Sequence, residues 1–211
     1  MKNLNGTAHM VLGAVAGFAC ADSLQSTPAE TMLLVGIGAA AGLMPDIDID
    51  GKLSNKITFS HKLIRTIAQL LGFAMILYSS FNYAGNSRTI GIGAGIGILL
   101  LSAFITQRLM LTLTGIGVLL GGISLEENWV LLLGIFIILG SFVPHRSYTH
   151  SIIGLIFFGV ISYKFEASVN IDGVFITCIA GYASHMAADM KILPFNKRGV
   201  KFFLPFSKKE F

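Results

Sequence analysis

Charged side chains are scarce in this chain of 211 residues, because Asp, Glu, Lys and Arg together make up only 12% of it. Soluble domains carry about 25% of these residues, so the composition argues against that class. A mean hydropathy of +0.74 indicates that the lipid bilayer is the main solvent. The two cysteines, Cys20 and Cys178, lie far apart in apolar stretches without metal-type spacing, and we expect a small buried thiol at each position.

Eight stretches contain no charged residue, and they predict the helices of the fold. They are residues 3–21, 31–45, 66–87, 89–107, 109–125, 128–144, 147–163 and 173–188. Several are shorter than the ~20 residues that a perpendicular helix needs to cross the hydrocarbon, so eight is an upper limit. No alternating apolar pattern of about ten residues recurs, which leaves α-helices as the spanning element. We predict an all-α, polytopic membrane protein with one domain over residues 1–211.

Glycine is abundant, with 24 residues, and some of it has the spacing that brings membrane helices together. Small residues four positions apart lie on one helix face and let two backbones approach closely. Three such pairs are present: Gly38 with Gly42, Gly93 with Gly97, and Gly117 with Gly121. We expect each pair to pack against a neighbouring helix.

The distribution of lysine and arginine predicts the orientation in the membrane. If all eight stretches cross, one face holds the N-terminus, residues 45–65, the junction at Arg108, the turn at 145–150 and the C-terminal tail. That face holds every basic residue except Arg88 and Lys164, and cytoplasmic loops are the ones enriched in Lys and Arg. All five histidines and the aspartates discussed below lie on this predicted cytoplasmic face.

Two acidic motifs suggest a metal site there. His185 and Asp189 are four positions apart, so on a helix they project from one face and can share an ion. Asp46, Asp48 and Asp50 follow an apolar stretch, and carboxylates this close repel one another unless a cation or donors compensate. We favour metal binding for Asp46 and Asp48, and a solvated turn for Asp50.

The heptad His145-Arg146-Ser147-Tyr148-Thr149-His150-Ser151 is the most distinctive motif. Histidines five apart suit a turn that leads into a helix, with Ser147 or Thr149 as its cap. Arg146 between them offers two parallel donors for a phosphate or carboxylate group. Two histidines and an arginine at a membrane boundary are costly to bury without partners, which favours a functional role.

His9 and His61 are single histidines near the starts of apolar stretches. Taken alone, a histidine at such a position is more often a hydrogen-bonded or interfacial residue than a metal ligand. Because His9 lies on the same predicted cytoplasmic face as the other motifs, we consider it a candidate ligand. The segment around His9 also has features of a cleavable secretory signal. However, the positively charged region of such a signal would consist of a single lysine, and the polar His9 stands just before the apolar run. We therefore expect the segment to be retained.

The motifs at both ends of the chain resemble the YdjM-like family. The matching segments are His9, residues 43–48, the heptad at 145–151 and residues 181–189, whereas residues 66–143 carry no motif and look like additional membrane helices. The usual pattern has glycine where Ser147 stands. The family is described as LexA-binding metal-dependent hydrolases of the bacterial inner membrane. The resemblance therefore implies a multi-pass inner-membrane hydrolase and LexA as a partner.

We expect a site that uses a divalent metal, Zn²⁺ or Mn²⁺, since Ca²⁺ prefers all-oxygen ligands. The expected ligands are Asp46, His145, His150, His185 and Asp189, with Asp48 and His9 as ligand or catalytic base and Arg146 holding an anionic group. A site at the membrane boundary suits a phosphoester or lipid-like amphiphile. The cationic and aromatic tail at residues 193–206 is expected to anchor on membrane lipid, without direct nucleic-acid binding.

Two other classes of function remain open at this point. A transporter or ion-binding membrane protein is disfavoured, because transport sites lie near the bilayer midplane and these ionisable groups lie toward the ends of the stretches. A non-catalytic scaffold, in which a metal only fastens helices together, would have a closed site without a position for water.

Overall fold

A computed structural model of the chain describes residues 5–48, 53–191, 196 and 199–211, and within these ranges it contains helices and no strands. The α-helices are α1 (Gly6–Ser23), α2 (Pro28–Ala41), α3 (Ser54–Ile57), α4 (His61–Asn82), α5 (Gly85–Ser102), α6 (Gln107–Ser124), α7 (Asn128–Gly140), α8 (Ile152–Val169) and α9 (Val174–Ala188). Two short 3₁₀ turns, Met44–Ile47 and Tyr148–His150, follow α2 and precede α8. The predicted all-α fold class is confirmed, and apart from the single turn α3 each helix lies mainly within a different predicted apolar stretch.

Polar residues at the breaks between apolar stretches set the helix ends. Asn5 begins α1, where its Oδ1 accepts from the Ala8 N–H at 2.9 Å. Thr27 and Glu30 form a capping box at the start of α2. The cap of α8 is Ser151, which accepts from the Gly154 N–H, so the expectation that Ser147 or Thr149 would cap this helix was wrong.

Among the described residues, three helices are long and apolar enough to cross a membrane: α4, α6 and α8. The apolar helices α2, α7 and α9 have only 14, 13 and 15 residues. At 1.5 Å per residue they extend roughly 20–23 Å, less than the ~30 Å of hydrocarbon, so they reach across only part of it unless the flanking residues contribute.

The chain divides into two compact units. The first comprises Met1–Ile57 and Thr112–Phe211, and the second comprises Thr58–Leu111. In the first unit, α1 packs against α2 and α9, and α8 packs against α9 and α7. In the second unit, α4 packs against α5. The division falls inside α6, so the second unit takes in only part of the motif-free block at 66–143.

Glycines hold α1 and α2 at backbone contact. A Cβ added at Gly42 would lie 2.6 Å from the His9 carbonyl oxygen, and one at Gly38 would lie 3.0 Å from the Gly17 Cα. On the third helix of this group, a Cβ at Gly181 would lie 2.7 Å from the Gly38 carbonyl oxygen. The Gly38–Gly42 pair therefore packs as predicted, since no larger residue fits these contacts.

The other two glycine pairs do not pack against a helix within the described residues. A Cβ added at Gly93, Gly97, Gly117 or Gly121 meets no heavy atom of the described chain within 4 Å, so this expectation was wrong. The close approach in the second unit involves Gly72 and Gly95 instead, where a Cβ at Gly72 would lie 2.9 Å from the Gly95 carbonyl oxygen. Spacing alone does not indicate which glycine face finds a partner.

The contact between α1 and α2 predicts a large difference between two glycines of the same helix. Gly38→Ala forces a methyl group against backbone atoms and should destabilise the first unit by about 1–3 kcal/mol. Gly36→Ala, where the new methyl meets open space, should leave stability unchanged or raise it by up to ~1 kcal/mol. Unfolding in detergent micelles measures both, and equal midpoints would contradict the contact.

Candidate metal centre

The side chains predicted as metal ligands all belong to the first unit and come from segments far apart in the sequence. His9 lies in α1, Asp46 and Asp48 in the turn after α2, His145 and His150 in the loop before α8, and His185 and Asp189 at the end of α9. All are at most 2% exposed except His145, which is 30% exposed. The histidines of the heptad and the His-x-x-x-Asp motif are therefore brought together in one buried cluster.

The centre of the cluster is formed by two imidazoles that face each other. Nε2 of His150 lies 3.2 Å from Nε2 of His185. Oδ1 of Asp46 lies 3.9 and 3.7 Å from these two nitrogens, and Oδ2 of Asp189 lies 3.6 and 3.5 Å from them. Two ring nitrogens and two carboxylate oxygens thus converge on one small volume.

Neighbouring groups determine which ring nitrogens carry hydrogen. Nδ1 of His185 lies 2.7 Å from the Gly42 carbonyl oxygen, which can only accept, so this nitrogen donates. The Thr149 hydroxyl donates to Asp48 at 3.0 Å and accepts from Nδ1 of His150 at 3.1 Å. Both imidazoles therefore direct their Nε2 lone pairs toward each other and toward the carboxylates.

Such an arrangement requires a positive charge between the acceptors. Lone pairs and carboxylates held this close in a buried site repel one another unless a proton or a cation lies among them. Oδ2 of Asp46 is buried and has no hydrogen-bond partner among the described residues. Burial lowers the pKa of His150, which keeps this imidazole in the neutral form that binds metals.

Three groups of ligand atoms within the cluster are close enough to hold an ion, and they share residues. The groups are His9 with His185 and Asp189, Asp46 with His150 and His185, and Asp48 with His145 and His150. His9 stacks on His185 with ring centroids 3.8 Å apart, and its Nε2 lies 3.5 Å from Asp189 Oδ1. The donor set is a mixture of imidazole and carboxylate, which suits Zn²⁺ or Mn²⁺.

His145 and Asp48 form a pair at the accessible edge of the cluster. Nδ1 of His145 lies 3.0 Å from Asp48 Oδ1 and donates to it. Burial alone would lower the pKa of His145, but the hydrogen bond to Asp48 and its negative charge outweigh burial and raise it. The raised pKa favours the protonated form of this imidazole, and its partial exposure allows it to exchange protons with solvent.

Arg146 contacts the cluster directly, where an anion-binding role was predicted. Its Nη2 donates to Asp189 Oδ1 at 2.7 Å, a charge-assisted bond that favours the ionised carboxylate. The backbone of Arg146 has φ +59°, whereas Ser147 has φ −112°. The position where the family pattern has glycine thus lies outside the left-handed region, so its φ does not require glycine.

One predicted polar residue lies elsewhere, and others fall outside the described residues. His61 belongs to the second unit, where its Nδ1 bonds Gln107 Oε1 at 2.9 Å, and it is in none of the ligand groups found among the described residues. Asp50 lies outside the described residues, as do Leu193 to Phe195, Lys197 and Arg198 of the predicted lipid-anchoring tail.

The residues that orient the candidate metal ligands were not predicted from the sequence. Thr149 connects Asp48 with His150, and the Tyr182 hydroxyl donates to the Thr149 carbonyl. Tyr182 is fully buried and stacks on Phe158 with centroids 5.0 Å apart. The sequence did contain a signal, because Tyr182 lies three positions before His185 and so projects from a similar face of α9.

A helical membrane protein with a buried cluster of histidine and aspartate is the class that this fold and this site define. The chain belongs to the YdjM inner membrane protein family, whose model matches residues 4–211, and the resemblance found in the sequence is thereby confirmed. Neither the curated proteins nor the solved structures gave a match.

The bond from Tyr182 to the Thr149 carbonyl can be tested by removing one hydroxyl. Tyr182→Phe preserves the ring packing but leaves a buried carbonyl without its donor, so we expect a loss of about 1–3 kcal/mol in stability. Tyr163→Phe is the matched control, since Tyr163 is 62% exposed and should change stability by less than ~0.5 kcal/mol. Equal unfolding midpoints for the two variants would refute this role of Tyr182.

Proposed function

We propose that this protein is a membrane-bound, metal-dependent hydrolase of phosphoesters or related amphiphiles. The observation that carries the proposal is the convergence of the His150 and His185 Nε2 lone pairs with the carboxylates of Asp46 and Asp189. Structural polar clusters usually pair donors with acceptors, whereas this cluster directs acceptors at acceptors.

These four residues would hold the first ion, and the donor chemistry fits Zn²⁺ or Mn²⁺. His9 with Asp189 would complete a second position, because this pair belongs to a ligand group that shares His185 with the first. When bound, a divalent ion supplies Lewis-acid activation of water and stabilises negative charge at the reacting centre.

Proton transfer is assigned to His145, which sequence reasoning placed among the metal ligands. It is the most exposed imidazole of the cluster, and Asp48 fixes its orientation through Nδ1. Ester hydrolysis needs a group that accepts a proton from water and returns one to the leaving oxygen, and a solvent-accessible imidazole whose other nitrogen is held by a carboxylate suits both steps. Asp48 then acts by orienting His145 rather than as the base itself.

Arg146 supports binding of an anionic substrate. Its bond to Asp189 places a guanidinium group beside the candidate ligands, and the planar, permanently charged guanidinium matches the geometry of phosphate oxygens. The positive charge would attract a phosphate group and stabilise the charge that develops on it. LexA binding, which the family resemblance implies, stays a prediction.

The metal and the activity can be tested together on purified protein in detergent. His150→Ala removes a residue of two ligand groups and should abolish stoichiometric zinc or manganese, measured by elemental mass spectrometry. It should also abolish phosphate or fatty-acid release from lipid extracts. His61→Ala, a histidine outside those groups, should retain both. Metal without turnover on any amphiphile would favour a structural metal, and no metal in the parent protein would refute the proposal.

We further propose that the chain is multi-pass and that the metal centre faces the cytoplasm, because nearly all basic residues are predicted on that face. A green fluorescent protein fused after Phe211 should fluoresce, and alkaline phosphatase at the same position should be inactive. Phosphatase inserted at Asn170, in the turn between α8 and α9, should be active. An active phosphatase after Phe211 would place the site on the other face.

A further inference from the structure

An apolar cavity of about 370 Å³ lies in the first unit, beside the metal centre. Residues from α2, α7, α8 and α9 line it, and at one end it reaches Met44. Met44 is in the same 3₁₀ turn as Asp46. A volume near ~300 Å³ or above is typical of a small-molecule site.

The cavity is elongated along α2 and extends away from the metal centre. Its lining includes Leu33 and Met44, which are eleven positions apart and therefore about 16 Å along a helical axis. Trp129 and Phe165 line the end near Leu33, with ring centroids 4.6 Å apart. The cavity thus has a polar centre beside one end and an aromatic pair at the other.

The lining of the cavity is almost entirely apolar. Apart from the Trp129 indole N–H at the aromatic end and the weakly polar Met44 sulfur, the side chains with polar atoms are Ser162 and Cys178. The Ser162 hydroxyl donates to the Phe158 carbonyl at 2.8 Å, and the Cys178 thiol is itself hydrogen-bonded to Ser162. An occupant must therefore be hydrocarbon over this length, because a polar group there would lose its water without gaining a partner.

The dimensions distinguish between apolar occupants. A helix from a second protein is about 10 Å wide, and a length of 16 Å would need more than ~1,000 Å³. A single alkyl or prenyl chain is narrow enough for the observed volume. We propose that this cavity binds the hydrocarbon chain of the substrate and places the headgroup of a single-chain or tailed phosphoester at the metal centre. The placement of the headgroup at the metal centre rests on the proposed function, whereas the binding of a hydrocarbon chain in the cavity does not.

Gly36 provides a way to fill the cavity without disturbing the packing of α2. It lines the cavity, and a Cβ at this position meets no heavy atom of the described chain within 4 Å. The phenyl ring introduced by Gly36→Phe should therefore fill the space that the hydrocarbon chain of the ligand would occupy. Gly117→Phe is the matched control, because Gly117 has equally open surroundings but does not line the cavity.

The probe is an alkyl phosphate with a photoactivatable diazirine at the end of its chain. Cross-linked to the purified full-length protein, it should label residues near Trp129 and Phe165, and mass spectrometry locates the adducts. Gly36→Phe should reduce these adducts about tenfold or more, the ratio that corresponds to 1.4 kcal/mol, which is within the usual cost of overpacking. Gly117→Phe should keep them, and Ala40→Leu, also in the lining, replaces Gly36→Phe if that variant fails to fold.

The possible outcomes distinguish the binding of a hydrocarbon chain in the cavity from the proposed hydrolase activity. Adducts that are unchanged in the folded Gly36→Phe variant, or that are spread over all lipid-facing helices, would overturn the cavity assignment. Adducts in the cavity without hydrolysis of any alkyl phosphate would refute the hydrolase and leave the chain site standing. Slower hydrolysis of hexadecyl phosphate by Gly36→Phe, with unchanged hydrolysis of a short aryl phosphate, would support both.

Discussion

The repulsion among acceptors at the buried centre is the constraint on which the first unit depends. Asp46, His150, His185 and Asp189 are nearly inaccessible to solvent and direct lone pairs at one another. In an apolar protein each such group costs several kcal/mol unless it is compensated. The segments that carry these groups are the turn after α2, the heptad and the end of α9, and they meet at one place, where a proton or a cation between the acceptors would compensate the cost. The arrangement of helices is therefore inseparable from the chemistry of the site.

Helix α2 connects the parts of this arrangement. One of its faces carries Gly38 and meets α1 at backbone distance, and another carries Gly36 and lines the cavity. Directly after the helix, the Gly42 carbonyl accepts from His185 and determines which ring nitrogen faces the ligands. Helix packing, the proposed binding of a hydrocarbon chain and the orientation of the His185 imidazole thus depend on one helix of fourteen residues. This explains why a stretch too short to be an obvious membrane span is rich in small residues.

The helices could be predicted from the sequence because apolar stretches and polar breaks are local signals. The ligand motifs were recognisable because histidine and aspartate are costly in such a composition. The predictions that failed concern contacts between distant parts of the fold. Gly93 and Gly117 have the spacing of packed glycines but no neighbour within the described chain. Thr149 bonds Asp48 across 101 positions and Tyr182 bonds Thr149 across 33, and the only local signal for these bonds is the position of Tyr182 three residues before His185.

The order of the segments has a consequence for biogenesis. His9 and Asp46 emerge from the ribosome long before α9, and the bond between Gly42 and His185 spans 143 positions. Until α9 inserts, the early half of the cluster holds a histidine and carboxylates without their counterparts. A chain truncated before α9 would thus leave polar groups of the cluster uncompensated in an apolar surrounding. Insertion of α9 is then the step that supplies His185 and Asp189 and completes the cluster.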